Sequence, residues 1–164
     1  MTVQKKGFTL VELLVTISII AILSAIGLVL YSTVLKQGRD SKRQSDLKSI
    51  QLALEQYVND QGFYPAPSPS SLTPGTGALT TSTGNPTSPA PALKTYMSII
   101  PNDSNSSTPY VYVALKDGAT CNNSSIFCTS YCLYAKLENL TSPDLKGCSV
   151  SGSYSTYNFA VTPP

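Results

Sequence analysis

The chain has 164 residues, no histidine and no tryptophan, and a formal charge of +2. Lys5 and Lys6 carry all of that excess, since eleven basic residues less these two leaves nine, against nine acidic ones. Residues 8–164 are therefore neutral, which removes the electrostatic basis for bulk nucleic-acid binding, and the length holds one domain plus an anchor.

Lys5, Lys6 and Gly7 lead into a long apolar run. From Phe8 to Tyr31 the chain is apolar for 24 residues, and Glu12 is its single charge. As a helix this stretch spans roughly 36 Å, enough to cross a bilayer. A cleaved secretory signal has a shorter apolar core, so residues 8–31 are expected to form a retained membrane helix. A carboxylate inside such a run is costly, and it marks Glu12 as a functional residue.

The helix is expected to continue over residues 32–61. Residues 36–46, "KQGRDSKRQSD", are polar on every face. A solvated helix surface is the simplest reading of Lys36, Arg39, Lys42, Arg43 and Lys48, with Asp40 and Asp46 among them. Pairing between neighbouring rods, or contact with DNA, is the sharper alternative, and the neutral chain lends DNA no support. Leu47, Ile50, Leu54 and Tyr57 then recur at helical spacing. Gly62 marks the stop and Pro65 prevents resumption.

Residues 62–98 carry one charge, Lys94, and are rich in Pro, Ser, Thr and Gly. They read as a surface loop without a core of its own. The Asn-x-Ser/Thr triplets at Asn105, Asn123 and Asn139 are weak glycosylation signals. Residues 99–164 turn to short strands: "PYVYVAL" (109–115), "CTSYCLYAKLE" (128–138) and "YSTYNFAV" (154–161) alternate in the manner of half-buried strands. An antiparallel sheet of this kind has an apolar face to bury, and the outer helix is its obvious cover. The fold class is α+β, with the C-terminal half of one long helix packed on a small β head.

Cys121, Cys128, Cys132 and Cys148 all fall in this last segment. Without a single histidine their spacing suits two disulfides better than zinc, and it places the head in an oxidising compartment. Of three possible pairings, Cys121–Cys128 and Cys132–Cys148 are expected. "CNNSSIFC" suits a tight loop between two strands, and an antiparallel return brings Cys148 opposite Cys132. No metal or cofactor site is expected. Asp103 with Asn102 and Asn105 has some calcium-ligand character, but one carboxylate is too few and an ordinary turn fits better. Catalysis is not expected either, because only the carboxylates Asp103, Asp117, Glu138 and Asp144 remain for acid–base work and they lie scattered.

The stretch "KGFTLVELLVTISIIAILSAI", residues 6–26, resembles the class III signal of the type IV pilin superfamily, which includes type II secretion pseudopilins. The resemblance implies a structural subunit, cut between Gly7 and Phe8 by a prepilin peptidase and N-methylated on Phe8. It also implies an inner-membrane assembly platform and ATPase that lift the subunit from the membrane into a helical homo-oligomeric filament. The leader, residues 1–7, would lie in the cytoplasm and the head outside. Leader lysines resist extraction through lipid, so cutting must precede assembly. A new ammonium on Phe8 would then pair with Glu12 of a staggered neighbour and set register. Two features depart from the family. Val29 stands where many members carry a kinking proline, and the basic residues after the span outnumber those before it, against the usual charge rule for topology. "IIPNDSNSSTPYVYV" (99–113) is similar to secretion-type pseudopilins, whereas two disulfides and a long Ser/Thr/Pro loop favour a pilus subunit. The pilin is the preferred reading, serving adhesion, motility or DNA uptake. A secretion pseudopilin is the alternative, and a membrane-anchored enzyme or binding module is the remote one.

Overall fold

A computed structural model describes residues 7–66, 74–75, 77–83, 92–103, 107–149 and 154–164. It contains one long helix, α1 (Leu10–Gln61), followed by β1 (Leu79–Thr80), β2 (Thr95–Met97), β3 (Val111–Lys116), β4 (Ala119–Thr120), β5 (Ser130–Ala135) and β6 (Phe159–Val161). The chain divides into two compact units, Met1–Arg39 and Asp40–Pro164. The leader, residues 1–6, lies outside the described residues.

In the first unit the described side chains from Phe8 to Arg39 are exposed, and most are aliphatic. So many β-branched residues would disfavour a helix in water, but in lipid a helix satisfies every main-chain group internally. The hydroxyls of Thr16 and Ser18 also donate back, to the carbonyls of Leu13 and Leu14 at 2.8 Å each, so neither is left bare. The best window of α1 has a mean hydropathy of 2.8, long and apolar enough to cross a membrane. Gly27 and Gly38 both lie within α1 without interrupting it.

The second unit has its own core. Leu47, Ile50, Ala53, Leu54 and Tyr57 form the buried stripe of α1 and pack with Tyr112, Ala114, Tyr131, Leu133 and Ala135. The helix ends as its sequence requires: Gly62 takes a φ of 79°, and its N–H bonds the Val58 carbonyl at 2.7 Å, closing the last turn. The main sheet is antiparallel throughout, in the order β4-β3-β5-β6. Asp117 and Gly118, with φ of 51° and 79°, make the two-residue turn joining β3 to β4, as the Asp-Gly pair favours. In β3, Tyr112 and Ala114 join the helix-side core, whereas Val111 and Val113 face a second cluster around Cys132, Tyr134 and Cys148. β5 is therefore covered on both faces, and its last five residues are all buried.

Two expectations are corrected. Residues 62–98 do contribute to the core: Phe63, Tyr64, Ala66 and Leu79 are buried in it, and β1 pairs with β2 inside this segment. Composition hid this, because a few apolar residues among many polar ones suffice to cap a small core. The third expected strand is also shorter, Phe159–Val161, with Tyr154 and Tyr157 packed against the second cluster instead of paired in the ladder. The isolated bridge between Asp144 and Phe159 closes the outer side of β6.

Much of the core is tyrosine, and the rings keep partners for their hydroxyls. Tyr57 donates to the Thr83 carbonyl at 2.9 Å, Tyr112 to that of Pro65 at 2.9 Å, and Tyr110 to Asp46 at 3.0 Å. The exception is Tyr131, whose buried hydroxyl has no hydrogen-bond partner. Burial pushes the phenols of Tyr57, Tyr64, Tyr110, Tyr112 and Tyr131 above their ordinary value. A raised acid constant means that the folded state holds protons which the unfolded state releases above about pH 10. Stability is thus intact below pH 10 and falls as pH rises beyond it, because the buried phenols must lose their protons as the fold opens. Absorbance at 295 nm and circular dichroism, followed together against pH, should show tyrosinate formation and unfolding as one step above pH 10. Separate titration of the tyrosines with the dichroism retained would refute the burial argument.

Candidate functional site

The N-terminal site is built by a capping box. Thr9 precedes the first helical residue, and its hydroxyl accepts from the Glu12 N–H at 3.2 Å. Glu12 reaches back to accept from the Thr9 N–H at 2.9 Å and from the Thr9 hydroxyl at 2.7 Å. Free donors at the helix start are thereby satisfied, and the negative carboxylate sits at the positive end of the helix dipole. The pattern Thr-x-x-Glu announces this box, although Glu12 drew attention as an unpaired charge and its local partner was missed.

Capping also fixes what is not helical. With Thr9 as the cap, the Gly7–Phe8 bond falls outside α1, in an exposed segment with Phe8 83% accessible. A peptidase needs an extended, reachable bond, and the helix start leaves one there. Nothing lies within 4 Å of where a Cβ on Gly7 would stand. Any demand for glycine at this position therefore comes from the enzyme that reads it, not from the fold. Within the chain the observed partner of Glu12 is Thr9.

The cysteines are joined as Cys121–Cys128 and Cys132–Cys148, the pairing set out above, and none is free. The first ties the short loop between β4 and β5. Asn123 holds that loop from inside, donating to the Tyr64 carbonyl at 2.7 Å and accepting from the Cys128 N–H at 2.8 Å. The second ties β5 to the turn at Leu145–Cys148, closed by a 2.8 Å bond from the Cys148 N–H to the Leu145 carbonyl. It closes a separation of 16 residues, worth about 3 kcal/mol in the chain-entropy account. Asn123 is buried with its amide engaged, whereas Asn139 is exposed; Asn105 lies outside the described residues.

The polar stretch at 36–46 holds a site that the sequence reading did not anticipate. Arg43 is 3% exposed and carries three carboxylates. Its Nε donates to Asp103 at 2.8 Å, and one terminal nitrogen donates to Asp40 at 2.9 Å and to Glu138 at 3.0 Å. Asp40 in turn accepts from the main-chain N–H of Glu138 and of Asn139, at 2.9 and 2.8 Å. Burial by itself would lower the Arg43 acid constant, but the bonds to Asp103, Glu138 and Asp40 outweigh it and raise the constant above its ordinary value. The guanidinium therefore stays charged, and it clasps α1 to the loop before β3 and to the loop after β5. This corrects two readings: Arg43 and Asp40 are not a solvated face, and Asp103 and Glu138 are not scattered. Among the described residues no group of three or more His, Cys, Asp or Glu is placed to hold a metal ion. Asp103 is committed to Arg43.

A capped apolar helix long enough to cross a membrane, followed by small antiparallel sheets, fits the α+β layout expected from the sequence. Residues 3–28 match the family described as the prokaryotic N-terminal methylation motif. The chain thus carries the class III signal peptide of type IV pilins and pseudopilins. Such a motif marks a prepilin peptidase substrate that assembles into a filament. No curated protein and no solved structure matches the chain.

Proposed function

We propose that the protein is a structural subunit of a type IV pilus. It is cut between Gly7 and Phe8, methylated on Phe8, and polymerised through α1 with its head outside the cytoplasm. The observation that carries this reading is the methylation motif at residues 3–28, in which Gly7 and Phe8 precede a helix whose first turn holds Glu12. The aliphatic surface of residues 10–35 suits lipid before assembly and neighbouring helices after it. In that packed, water-poor setting Glu12 would exchange its bonds to Thr9 for the ammonium of a staggered copy. The two disulfides support an oxidising location for the head.

The protein is not proposed to be an enzyme, since Asp103 and Glu138 serve Arg43, and Asp144 pairs with Lys146. The pseudopilin of a type II secretion system remains the second reading, favoured by the segment 99–113 alone. Immunogold labelling of whole cells with an antibody to the head separates the two. Label along extended surface fibres is expected, and label confined to the envelope would favour the pseudopilin.

A further inference from the structure

The head carries a cleft of about 600 Å³ that the assembly chemistry does not use. Lys48 and Gln51 of α1 and Lys146 line it together with Phe159, Val161 and Pro163, and no Asp or Glu does. An adjoining cavity of about 410 Å³ shares Lys146 and Pro163, is lined by the hydroxyl residues Thr129 and Ser130, and again has no acidic side chain. Lys146 is thus common to both.

Neither ammonium is tightly held. Lys48 bonds the Gln51 amide oxygen at 2.8 Å and has no carboxylate partner among the described residues. Lys146 pairs with Asp144 at 3.0 Å, but the two are 58% and 42% exposed, and exposed pairs open readily. Lys146 also has a φ of 49°, a region lysine seldom occupies and asparagine or glycine accepts more easily. A lysine in that place suggests a use for its ammonium.

From this geometry we infer that the paired cavities bind an acidic, extended polypeptide segment with alternating apolar side chains, presented by a partner protein. In an extended chain successive side chains point to opposite sides. Carboxylates on one side meet Lys48 and Lys146, while apolar side chains on the other meet Phe159, Val161 and Pro163. Two lysines on a head with seven basic and eight acidic residues are too few for a nucleic acid, and the cavities expose no tyrosine or tryptophan platform for sugar rings. The inference goes beyond the filament reading and holds for pilus and pseudopilus alike.

Fluorescence anisotropy tests it with the full-length protein in detergent micelles. The probe is a labelled (Glu-Val)4 peptide, with (Lys-Val)4 and (Glu-Ser)4 as controls. Saturable binding of (Glu-Val)4, weakened by salt, is expected to exceed that of both controls. Lys48→Gln and Lys146→Asn should each weaken it about fivefold to tenfold. Lys146→Asn also relieves the backbone, so its melting temperature should hold or rise while affinity falls, which a structural role of the lysine would not produce. Absence of binding, equal binding of (Glu-Ser)4, or unchanged affinity in both variants would overturn the inference. Tighter binding of an oligouronate or an oligonucleotide would overturn it in favour of that class.

Discussion

Arg43→Ala is expected to lower the stability of the head by about 3–5 kcal/mol, the usual cost of removing one partner from a buried ionic group. Arg43 pairs with Asp40, Asp103 and Glu138 at once. Its loss takes a charged partner from Asp40 and Asp103, both of which are buried. The penalty is that of weakening the charge pairing of two buried carboxylates together, and it exceeds the value of any one hydrogen bond. A loss of that size moves the melting temperature of a domain this large down by roughly 10–20 °C. Arg43→Lys should recover only part of it, since an ammonium does not reproduce the fork that reaches Asp103 through Nε and the other two acids through one terminal nitrogen. Thermal melts followed by circular dichroism decide the matter. A melting temperature for Arg43→Ala within a few degrees of the parent would mean that the clasp is open in solution.

Glu12→Val is expected to abolish incorporation into filaments while leaving insertion and cleavage intact. Valine makes the span more apolar, so the anchor is improved and the Gly7–Phe8 bond stays in place. Two functions of the carboxylate are lost together, the cap on Thr9 and the proposed salt bridge to a neighbour's Phe8. Glu12→Gln separates them. Glutamine retains an acceptor and can complete a capping box, but it has no charge to offer an ammonium. The account expects both variants to be missing from sheared filaments when no parent subunit is present. Normal assembly of Glu12→Gln would reduce Glu12 to a helix cap, and normal assembly of Glu12→Val would remove it from assembly altogether.

How far the molecule is legible in its sequence depends on how local each determinant is. The long helix declares itself through an unbroken apolar run, a stripe at Leu47, Ile50, Leu54 and Tyr57, and a stop at Gly62. β3 and β5 declare themselves by alternation, and the Asp117–Gly118 pair marks the hairpin. The Arg43 clasp does not, because its partners Asp103 and Glu138 lie 60 and 95 residues away. Nothing in a polar helical stretch says which of five basic residues will be enclosed. Leu79 and Thr83 were hidden for a related reason. Their burial follows from Tyr57, whose hydroxyl needs the Thr83 carbonyl, and not from any pattern in their own segment. At the N-terminus the motif was legible but its local geometry was read incompletely, since Thr9 and Glu12 engage each other before any neighbour arrives.

The central claim, that this chain is processed as a prepilin and polymerised, is tested most directly by mass spectrometry of the N-terminal peptide from sheared filaments. The account predicts a peptide that begins at Phe8 with one methyl group on its amine, and no peptide containing Lys5 or Lys6. Filament-borne protein beginning at Met1 or at Ala25 would contradict it.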